Sequence, residues 1–308
     1  MNIKKYEVLA KVIDLGSLTR AAETLGITQS GVSHIIAGVE EEFGFPIMKR
    51  SRAGAFLTTD GQRIMPFIRG ILNYSKQLDQ TVAAVRGLDT GTIRVATFTS
   101  VAVHWLPGMM KEFQNDYPRI EFELFNGDYH DVNKWLAEGS VDIGFITLPT
   151  DLTCDYVPLV EDRLLAILPL DHKLAEQPGI SLTEVESEPF ISLLESSDHD
   201  ARRALKTAGV KPNIKFTTKD DYAIIAMVEQ GMGISVMPEL LLEGRQYNVK
   251  ALPLMPPVSR TIAMAITTLS QPGPATRCFA DYIIKWVEKH YQKSETSGTS
   301  LSKSNLIK

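Results

Sequence analysis

The residues whose types and spacing suggest a chemistry form a short polar run near the start of this 308-residue sequence. The run consists of Thr28, Gln29, Ser30, Ser33 and His34. The amide of Gln29 carries a donor and an acceptor that match the edge of adenine, and hydroxyl and imidazole groups can bond a base or a phosphate. No acidic side chain occurs from residue 24 to residue 39. The run therefore predicts a surface that enters a DNA groove, although a solvated helix face has a similar composition.

Two short helical segments must position this polar run. The first segment ends at Gly26, and Thr28 is placed to cap the second. The apolar side of the first segment consists of Leu18, Ala21, Ala22 and Leu25. The second segment has an apolar stripe at helical spacing, formed by Val32, Ile35, Ile36, Val39 and Phe43. Together these segments are typical of a helix-turn-helix.

Residues 45–58 predict two short strands around a turn at Ala53 and Gly54, which would form a wing. The basic side chains of this wing are Lys49, Arg50 and Arg52. Such side chains contact phosphate or the minor groove and provide affinity with little sequence information. The net charge of the whole chain is −5, but DNA binding needs only a local positive surface, so the acidic balance does not exclude it.

A long helix is predicted after the wing, and Thr59 to Gln62 has the pattern of its capping box. Apolar residues then follow in steps of three and four with one polar interruption, at Ile64, Ile68, Ile71, Ser75, Leu78, Val82 and Val85. This spacing predicts a coiled-coil seam between two chains. The alternative is a single amphipathic helix that packs on its own domain.

From Thr92 onward, strand patterns alternate with helix patterns, which indicates an α/β fold with largely parallel sheets. One helix is expected from Val101 to Phe113 and another from Asp131 to Ala137. Strands are expected at residues 164–168 and 234–237, among others.

The N-terminal part resembles the LysR-type transcriptional regulators. The matching residues are Gly16, Ser17, Ala21, Ala22, Leu25, Gln29, Val32, Ser33, Ile35, Glu40, Gly44, Pro46, Lys49, Arg50, Leu57, Thr58 and Gly61. Two positions depart from the usual pattern, because Ser30 stands where the family commonly has proline and His34 where it commonly has arginine. The resemblance implies a winged helix-turn-helix at 1–58 and a linker helix at 59–90 that pairs two chains as a dimer or tetramer. Two such units would bind an inverted repeat in double-stranded DNA.

The resemblance continues through Leu106-Pro107, Tyr117-Pro118, Gly139 and the segment 228–238. It implies an effector-binding domain at 91–293, with a two-subdomain fold similar to periplasmic binding proteins. The first subdomain would take 92–161 and 268–291, the second 162–267, and 294–308 would be a disordered tail.

In such folds a small ligand binds in the cleft beyond the carboxyl ends of the strands. The polar residues expected to reach it are Thr97, Thr99, Ser100, Asn126, Thr147, Ser196, Lys219 and Asp220. Hydroxyl and N–H groups near Thr99 suit an anion, whereas Asp220 and Asp221 favour an amine. The expected effector is an organic acid or a zwitterion.

Other classes of function receive little support from the sequence. The two cysteines, Cys154 and Cys278, lack metal-ligand spacing, no GxSxG motif occurs, and no catalytic constellation, metal or cofactor is expected. No signal peptide or membrane span is expected either, which favours the cytoplasm. The function predicted is that of a DNA-binding transcriptional regulator controlled by a small-molecule effector. The alternatives are a solute-binding module and an enzyme on the same α/β scaffold.

Overall fold

The structure is a computed structural model that describes residues 3–51, 54–85, 90–194, 200–267 and 272–291. Two predicted site residues, Arg52 and Ser196, lie outside the described residues. So do Ala53 of the wing turn and the expected tail at 294–308.

The N-terminal unit contains three helices and a two-stranded wing. The helices are α1 (Ile3–Leu15), α2 (Leu18–Leu25) and α3 (Gln29–Phe43), and the wing strands are β1 (Met48–Ser51) and β2 (Gly54–Leu57), which pair antiparallel. The side chain of Ser17 accepts from the N–H of Arg20 at the start of α2. Gly26 ends α2 in the left-handed region, at φ 65°, which glycine adopts without strain. The helix-turn-helix and the wing predicted from local signals are thus confirmed.

A 27-residue helix, α4 (Thr59–Val85), follows the wing. Its cap is Thr58 and not the predicted Thr59, because the Oγ1 of Thr58 accepts from the N–H of Gly61 at 2.9 Å. A side chain at position 61 would place its Cβ 2.0 Å from the carbonyl oxygen of Ile47, so the start of α4 lies directly against the chain before the wing.

The predicted seam on α4 is wrong in its first half. Ile68 is buried in the core of the N-terminal unit, and Ile64 packs against the same core. That face of the helix is therefore used within the chain. The large apolar side chains of α4 that remain exposed are Phe67, Tyr74, Leu78, Val82 and Val85, and the first and third are 74% and 64% exposed.

The C-terminal two thirds form a mixed α/β unit. Its strands are β3 (Gly91–Thr97), β4 (Ile120–Asn126), β5 (Ile143–Leu148), β6 (Asp155–Pro169), β7 (Pro189–Leu193), β8 (Asn213–Thr218), β9 (Ser235–Pro238), β10 (Val249–Pro253) and β11 (Ser259–Ile266). Its helices are α5 (Thr99–His104), α6 (Leu106–Asp116), α7 (Tyr129–Glu138), α8 (Leu182–Val185), α9 (Asp200–Thr207), α10 (Asp221–Glu229), α11 (Glu239–Leu242) and α12 (Pro274–Tyr291). The helix expected from Val101 to Phe113 is two helices, and Pro107, which lacks an N–H donor, lies in the first turn of the second.

The sheet order is β10-β6-β11-β5-β3-β4, and β9 also pairs with β6. Only the β3 pairings in this sheet are parallel, so the expectation of largely parallel sheets is wrong. The reason is the pair of long strands β6 and β11, which run antiparallel to each other through both halves of the unit. Residues 261–266 of β11 pair with β5, so this strand lies with the first subdomain and not the second, where it was expected.

Two apolar cores define the halves. One surrounds Trp105, Phe113 and Phe279 between α5, α6 and α12, and the other surrounds Phe190 and Leu205 between β7 and α9. Strand β6 contributes to both cores, because its Leu159 belongs to the first and its Leu164 to the second. A cleft lies where these halves meet.

Candidate functional site

The polar face of α3 is open to solvent. Gln29, Ser30 and His34 are exposed, and Thr28 caps the helix by accepting from the N–H of Gly31 at 3.1 Å. The local reason is the apolar stripe on the opposite face, which turns this side of α3 away from the core.

The wing is held against the same face of α3. The Nη2 of Arg50 donates to the Oγ of Ser33 at 2.9 Å, and Lys49 is exposed beside it. The carboxylate of Glu40 accepts from the N–H groups of Ile47 and Met48 at 2.8 and 3.1 Å, which fixes where the wing begins. The structure thus joins Arg50 of the wing to the polar face of α3 through Ser33.

A cavity of about 280 Å³ lies between the two halves of the C-terminal unit. Four of the predicted effector residues line it, namely Thr99, Ser100, Asn126 and Lys219. Thr97 and Thr147 do not line it, because both are buried within strands of the sheet, where the hydroxyl of Thr97 donates to the carbonyl of Phe98. Asp220 does not line it either, because its carboxylate caps α10.

The next residue, Asp221, takes the place expected for Asp220 in the cavity wall. Burial raises the pKa of Asp221, and its interaction with the hydroxyl of Thr99, which lies on the other half of the unit, opposes that effect. A one-residue difference in a loop before a helix decides which carboxylate caps and which faces the ligand, and spacing alone does not reveal it.

A buried ionic cluster, which was not predicted from the sequence, lies at one end of the cavity. Arg260 on β11 donates from Nε to Asp162 at 2.8 Å and from Nη2 to Ser100 at 2.7 Å. Its Nη1 donates to the hydroxyl of Tyr129 and lies 3.6 Å from the carboxylate of Asp200. The only available signal was an arginine within an otherwise apolar strand, because a buried charge requires partners.

The charge of Arg260 is compensated by acidic groups within this cluster. Burial would lower the pKa of Arg260, but Tyr129, Asp162 and Asp200 outweigh it and hold the pKa above its usual value. Burial raises the pKa of Asp162, and the attraction of Arg260 opposes this rise. The Tyr129 hydroxyl also donates to Asp200 at 2.6 Å, so the cluster joins α7 of the first half to α9 of the second.

The helix α4 is attached to the first half of the C-terminal unit by a second polar group. The side chain of Asn73 donates to the carbonyl of Gly139 at 3.2 Å and accepts from Arg94 at 2.8 Å. Arg94 also forms a two-bond pair with Asp142, at 2.6 and 3.1 Å. Gly139 directly follows α7. Helix α7 therefore touches the cavity through its first residue, Tyr129, and contacts α4 through the carbonyl of Gly139 at its other end.

Metal-binding and membrane-spanning features do not occur in the part of the chain that the structure describes. There, no group of three or more His, Cys, Asp or Glu side chains is placed to hold a metal ion, and no helix is long and apolar enough to cross a membrane. Cys154 and Cys278 are both half-buried free thiols, and burial raises the pKa of Cys154.

Two family models match this chain. The model described as bacterial regulatory helix-turn-helix protein, lysR family, matches residues 3–62. The model described as LysR substrate binding domain matches residues 86–288. The first match contains the polar face of α3 and the wing, and the second contains every residue of the cavity.

Similar proteins and structures agree with these matches. The uncharacterized HTH-type transcriptional regulator YvbU of Bacillus subtilis is 29% identical over 284 residues, which cover 91% of this chain and 97% of YvbU. A full-length OxyR variant of Pseudomonas aeruginosa has a similar fold, with a TM-score of 0.73 at 19% identity, over 94% of this chain and 95% of that one. The Synechocystis PCC6803 CcmR regulatory domain, solved in complex with 2-PG, matches 65% of this chain and 99% of that one, with a TM-score of 0.60 at 24% identity.

Proposed function

The chain belongs to the LysR family of bacterial transcriptional regulators, and from that premise we propose how its parts act. It binds a specific double-stranded DNA site through α3 and the wing, and a small molecule in the cavity controls that binding. The observation that carries the proposal is the exposed polar face of α3 with Arg50 bonded to Ser33, since a surface that can contact base edges then lies next to a cation that can contact phosphate.

The proposed roles in DNA binding follow from these positions. Gln29 hydrogen-bonds a base edge. Ser30 and His34 add contacts that are weaker than the contact an arginine would make. Lys49 and Arg50 contact phosphate. Thr28 positions the helix start, because its Oγ1 accepts from the N–H of Gly31 and lies 3.1 Å from the Oγ of Ser30. Arg52 belongs to the same proposal on its sequence position alone.

Self-association is part of the proposed function. The exposed residues Leu78, Val82 and Val85 follow coiled-coil spacing, Phe67 and Tyr74 flank the same face, and no element among the described residues of the chain covers these side chains. Pairing two such helices buries them and brings two DNA-binding units together on an inverted repeat. Assembly of two such dimers would give a tetramer.

The cavity is proposed to receive the effector. A volume of about 280 Å³ is close to the lower end of ligand pockets, which hold roughly 300–1,000 Å³, so the effector is a small metabolite. The bond from Tyr129 to Asp200 crosses between the two halves. A ligand that binds one arrangement of the halves better than another shifts the balance between them.

The route from the cavity to the DNA-binding unit is proposed to be α7. Its first residue, Tyr129, belongs to the ionic cluster, and the carbonyl that follows its last turn is bonded by Asn73 of α4. The start of α4 is in turn packed in the core of the N-terminal unit. A shift of α7 on ligand binding therefore displaces α4 and the α3 face together.

An enzymatic role is not proposed. No histidine or cysteine is among the described residues that line the cavity, and the hydroxyl of Ser100 is bonded to Arg260. The partner of the Ser100 hydroxyl is thus a guanidinium group and not a base that could activate it. Binding of chromosomal DNA in a bacterium would place the protein in the cytoplasm.

The test is a selection from a random duplex library with the full chain, followed by fluorescence anisotropy at increasing salt. We expect enrichment of an inverted repeat and a steep fall in affinity with salt, because phosphate contacts release counterions. The control is the same chain without residues 1–58, which should not bind. Equal recovery of all sequences, or binding that persists after the deletion, would contradict the proposal.

A further inference from the structure

His34 has a larger side chain than any of its neighbours in the middle of the exposed face of α3. The residues one turn before it are Ser30 and Gly31, and those one turn after it are Ala37 and Gly38. None of these four carries a charge, whereas His34 is exposed and carries an imidazole. The imidazole therefore projects beyond its neighbours toward a duplex that lies against α3.

The imidazole is open to an outside partner. Within the part of the chain that the structure describes, His34 takes part in no hydrogen bond and no ion pair. The cation beside it, Arg50, is bonded to Ser33 and not to the ring. Both ring nitrogens are thus available to a group that comes from outside the chain.

The charges around this face offer no acid to His34. The charged side chains on the exposed part of α3 and on the elements beside it are Arg20 and Glu23 of α2, Glu41 two turns further along α3, and Lys49 and Arg50 of the wing. Glu40 accepts from the N–H groups at the start of the wing. On α1, Lys5 pairs with Glu42 at 3.5 Å and Asp14 pairs with Arg69 of α4. None of these acids is paired with His34 among the described residues, whereas DNA would supply acceptors at this face.

His34 is also the only histidine in residues 1–103. Imidazole is the side chain whose charge ordinarily changes between about pH 5 and pH 8. The neutral ring has one donor and one acceptor, and the protonated ring has two donors and no acceptor. In DNA, phosphate oxygens and the O6 and N7 atoms of guanine are acceptors. A contact from His34 to any of them favours the protonated ring.

We infer that His34 is a proton-dependent specificity residue: its imidazolium donates to an acceptor of the DNA, on a guanine edge or a phosphate, so that binding takes up a proton. This rests on the proposed function of α3 as the base-contacting helix. The sign of the pH dependence follows from the chemistry of the ring. The contact is complete when the ring is protonated, and it weakens as the pH rises, because the neutral ring has lost one donor and its charge. The affinity for the operator is therefore highest on the acid side of neutrality.

The experiment measures the Kd of the full chain for its selected duplex by fluorescence anisotropy, at constant ionic strength, from about pH 5.5 to about pH 8.5. The affinity of the unaltered chain should fall by about 10-fold or more over this range, because a hydrogen bond to a charged group contributes at least about that ratio. A duplex of random sequence identifies the acceptor. A fall on both duplexes assigns a phosphate, and a fall on the selected duplex alone assigns a guanine edge.

Three variants assign the pH dependence to a residue. His34→Arg keeps a cation at every pH, and His34→Gln has none, so both should lose this fall, and His34→Gln should bind about 10-fold more weakly in acid. The matched control is His130→Gln, which removes an exposed histidine of the C-terminal unit and should retain the fall. Calorimetry in two buffers of different ionisation enthalpy should show proton uptake on binding that both His34 variants reduce.

The outcomes separate this inference from the proposed function. A pH profile that is the same in the unaltered chain, His34→Arg and His34→Gln would overturn the inference while specific binding itself remained. An affinity that rises with pH, or a fall that His130→Gln removes, would also overturn it. Absence of sequence-specific binding at every pH would overturn the proposed function and this inference with it. The melting temperature of each variant shows that it is folded.

Discussion

Two arginine–carboxylate pairs lie next to each other in this protein, one buried within the ionic cluster and one exposed, which makes a matched experiment possible. Arg260 pairs with Asp162 at 2.7 Å, with side chains 2% and 5% exposed. Arg163 pairs with Glu239 at 2.6 Å, with side chains 63% and 36% exposed. We expect Arg260→Met to be severely destabilising and Arg163→Met to be nearly neutral.

The magnitude follows from what each substitution leaves behind. Removing Arg260 strands Asp162 without its cation in the protein interior, and breaking a buried pair in this way costs about 3–5 kcal/mol. Removing Arg163 leaves Glu239 in water, and exposed pairs contribute about 0–1 kcal/mol. The double variant Arg260→Met with Asp162→Asn should recover a large part of the loss, because no unpaired buried charge then remains in that pair.

The acid dependence has a definite sign. Burial raises the pKa of Asp162 in the folded chain, and Arg260 opposes this rise, so Arg260→Met raises that pKa further. A group whose pKa is higher when folded adds stability below its unfolded pKa and loses it as the pH rises through the folded value. The loss of unfolding free energy in Arg260→Met should therefore be smallest in acid and increase toward neutral pH. In the double variant this loss should depend little on pH.

The assay is urea unfolding followed by tryptophan fluorescence. All three tryptophans, Trp105, Trp135 and Trp286, lie in the C-terminal unit, so the signal reports on the unit that contains the cluster. With a slope of about 3 kcal/mol per molar urea, the Arg260→Met midpoint should fall by about 1–2 M. Equal midpoint shifts for Arg260→Met and Arg163→Met would refute the argument that burial decides the cost.

The other predictions concern the DNA surface, the seam and the connection between the domains. Gln29→Ala should cost about 1–3 kcal/mol on the selected DNA site and little on random DNA, and an equal loss on both would argue against base reading. Arg50→Ala should weaken binding to every sequence and reduce the salt slope by about 1, so an unchanged slope would remove it from the phosphate contacts. Leu78→Asp should dissociate the dimer in sedimentation velocity, while its neighbour Asp79→Ala should not; an intact Leu78→Asp dimer would place the interface elsewhere. Asn73→Ala should leave DNA binding and ligand binding intact but reduce the coupling free energy between them, which is typically about 1–3 kcal/mol. Unreduced coupling in the variant would exclude the Asn73 contact from the route between the cavity and the DNA-binding unit.

Local signals in the sequence predicted the N-terminal unit well. Helix ends at Ser17, Gly26 and Thr28 depend on neighbours within a few residues, and the wing depends on one turn. The seam on α4 was predicted less well. Periodicity locates an apolar helix face, but it does not say whether that face packs against the same chain or against another one. Ile68 fits either arrangement, and only the folded core decides between them.

The cavity was predicted less completely for a related reason. Thr99 and Ser100 follow a strand and begin a helix, which is a local pattern, and both line the cavity. Arg260 meets Ser100 across 160 positions of sequence, and no spacing rule connects them. The long strand β6 was half missed, because the charged residues Glu161 to Arg163 interrupt its apolar pattern where it passes between the two halves.

The packing of the first turns of α4 into the N-terminal unit has a mechanical consequence. Ile68 and the first turns of α4 are packed in that core. The DNA-binding unit and the helix therefore rotate together, as a rigid lever, about the exposed seam. From Leu78 to Thr59 the lever measures about 28 Å at 1.5 Å per residue. A tilt of about 10° at the seam then moves its far end by roughly 5 Å, which exceeds the roughly 3.4 Å between successive base pairs. A modest change in crossing angle is enough to take one recognition helix out of register with its half of the operator.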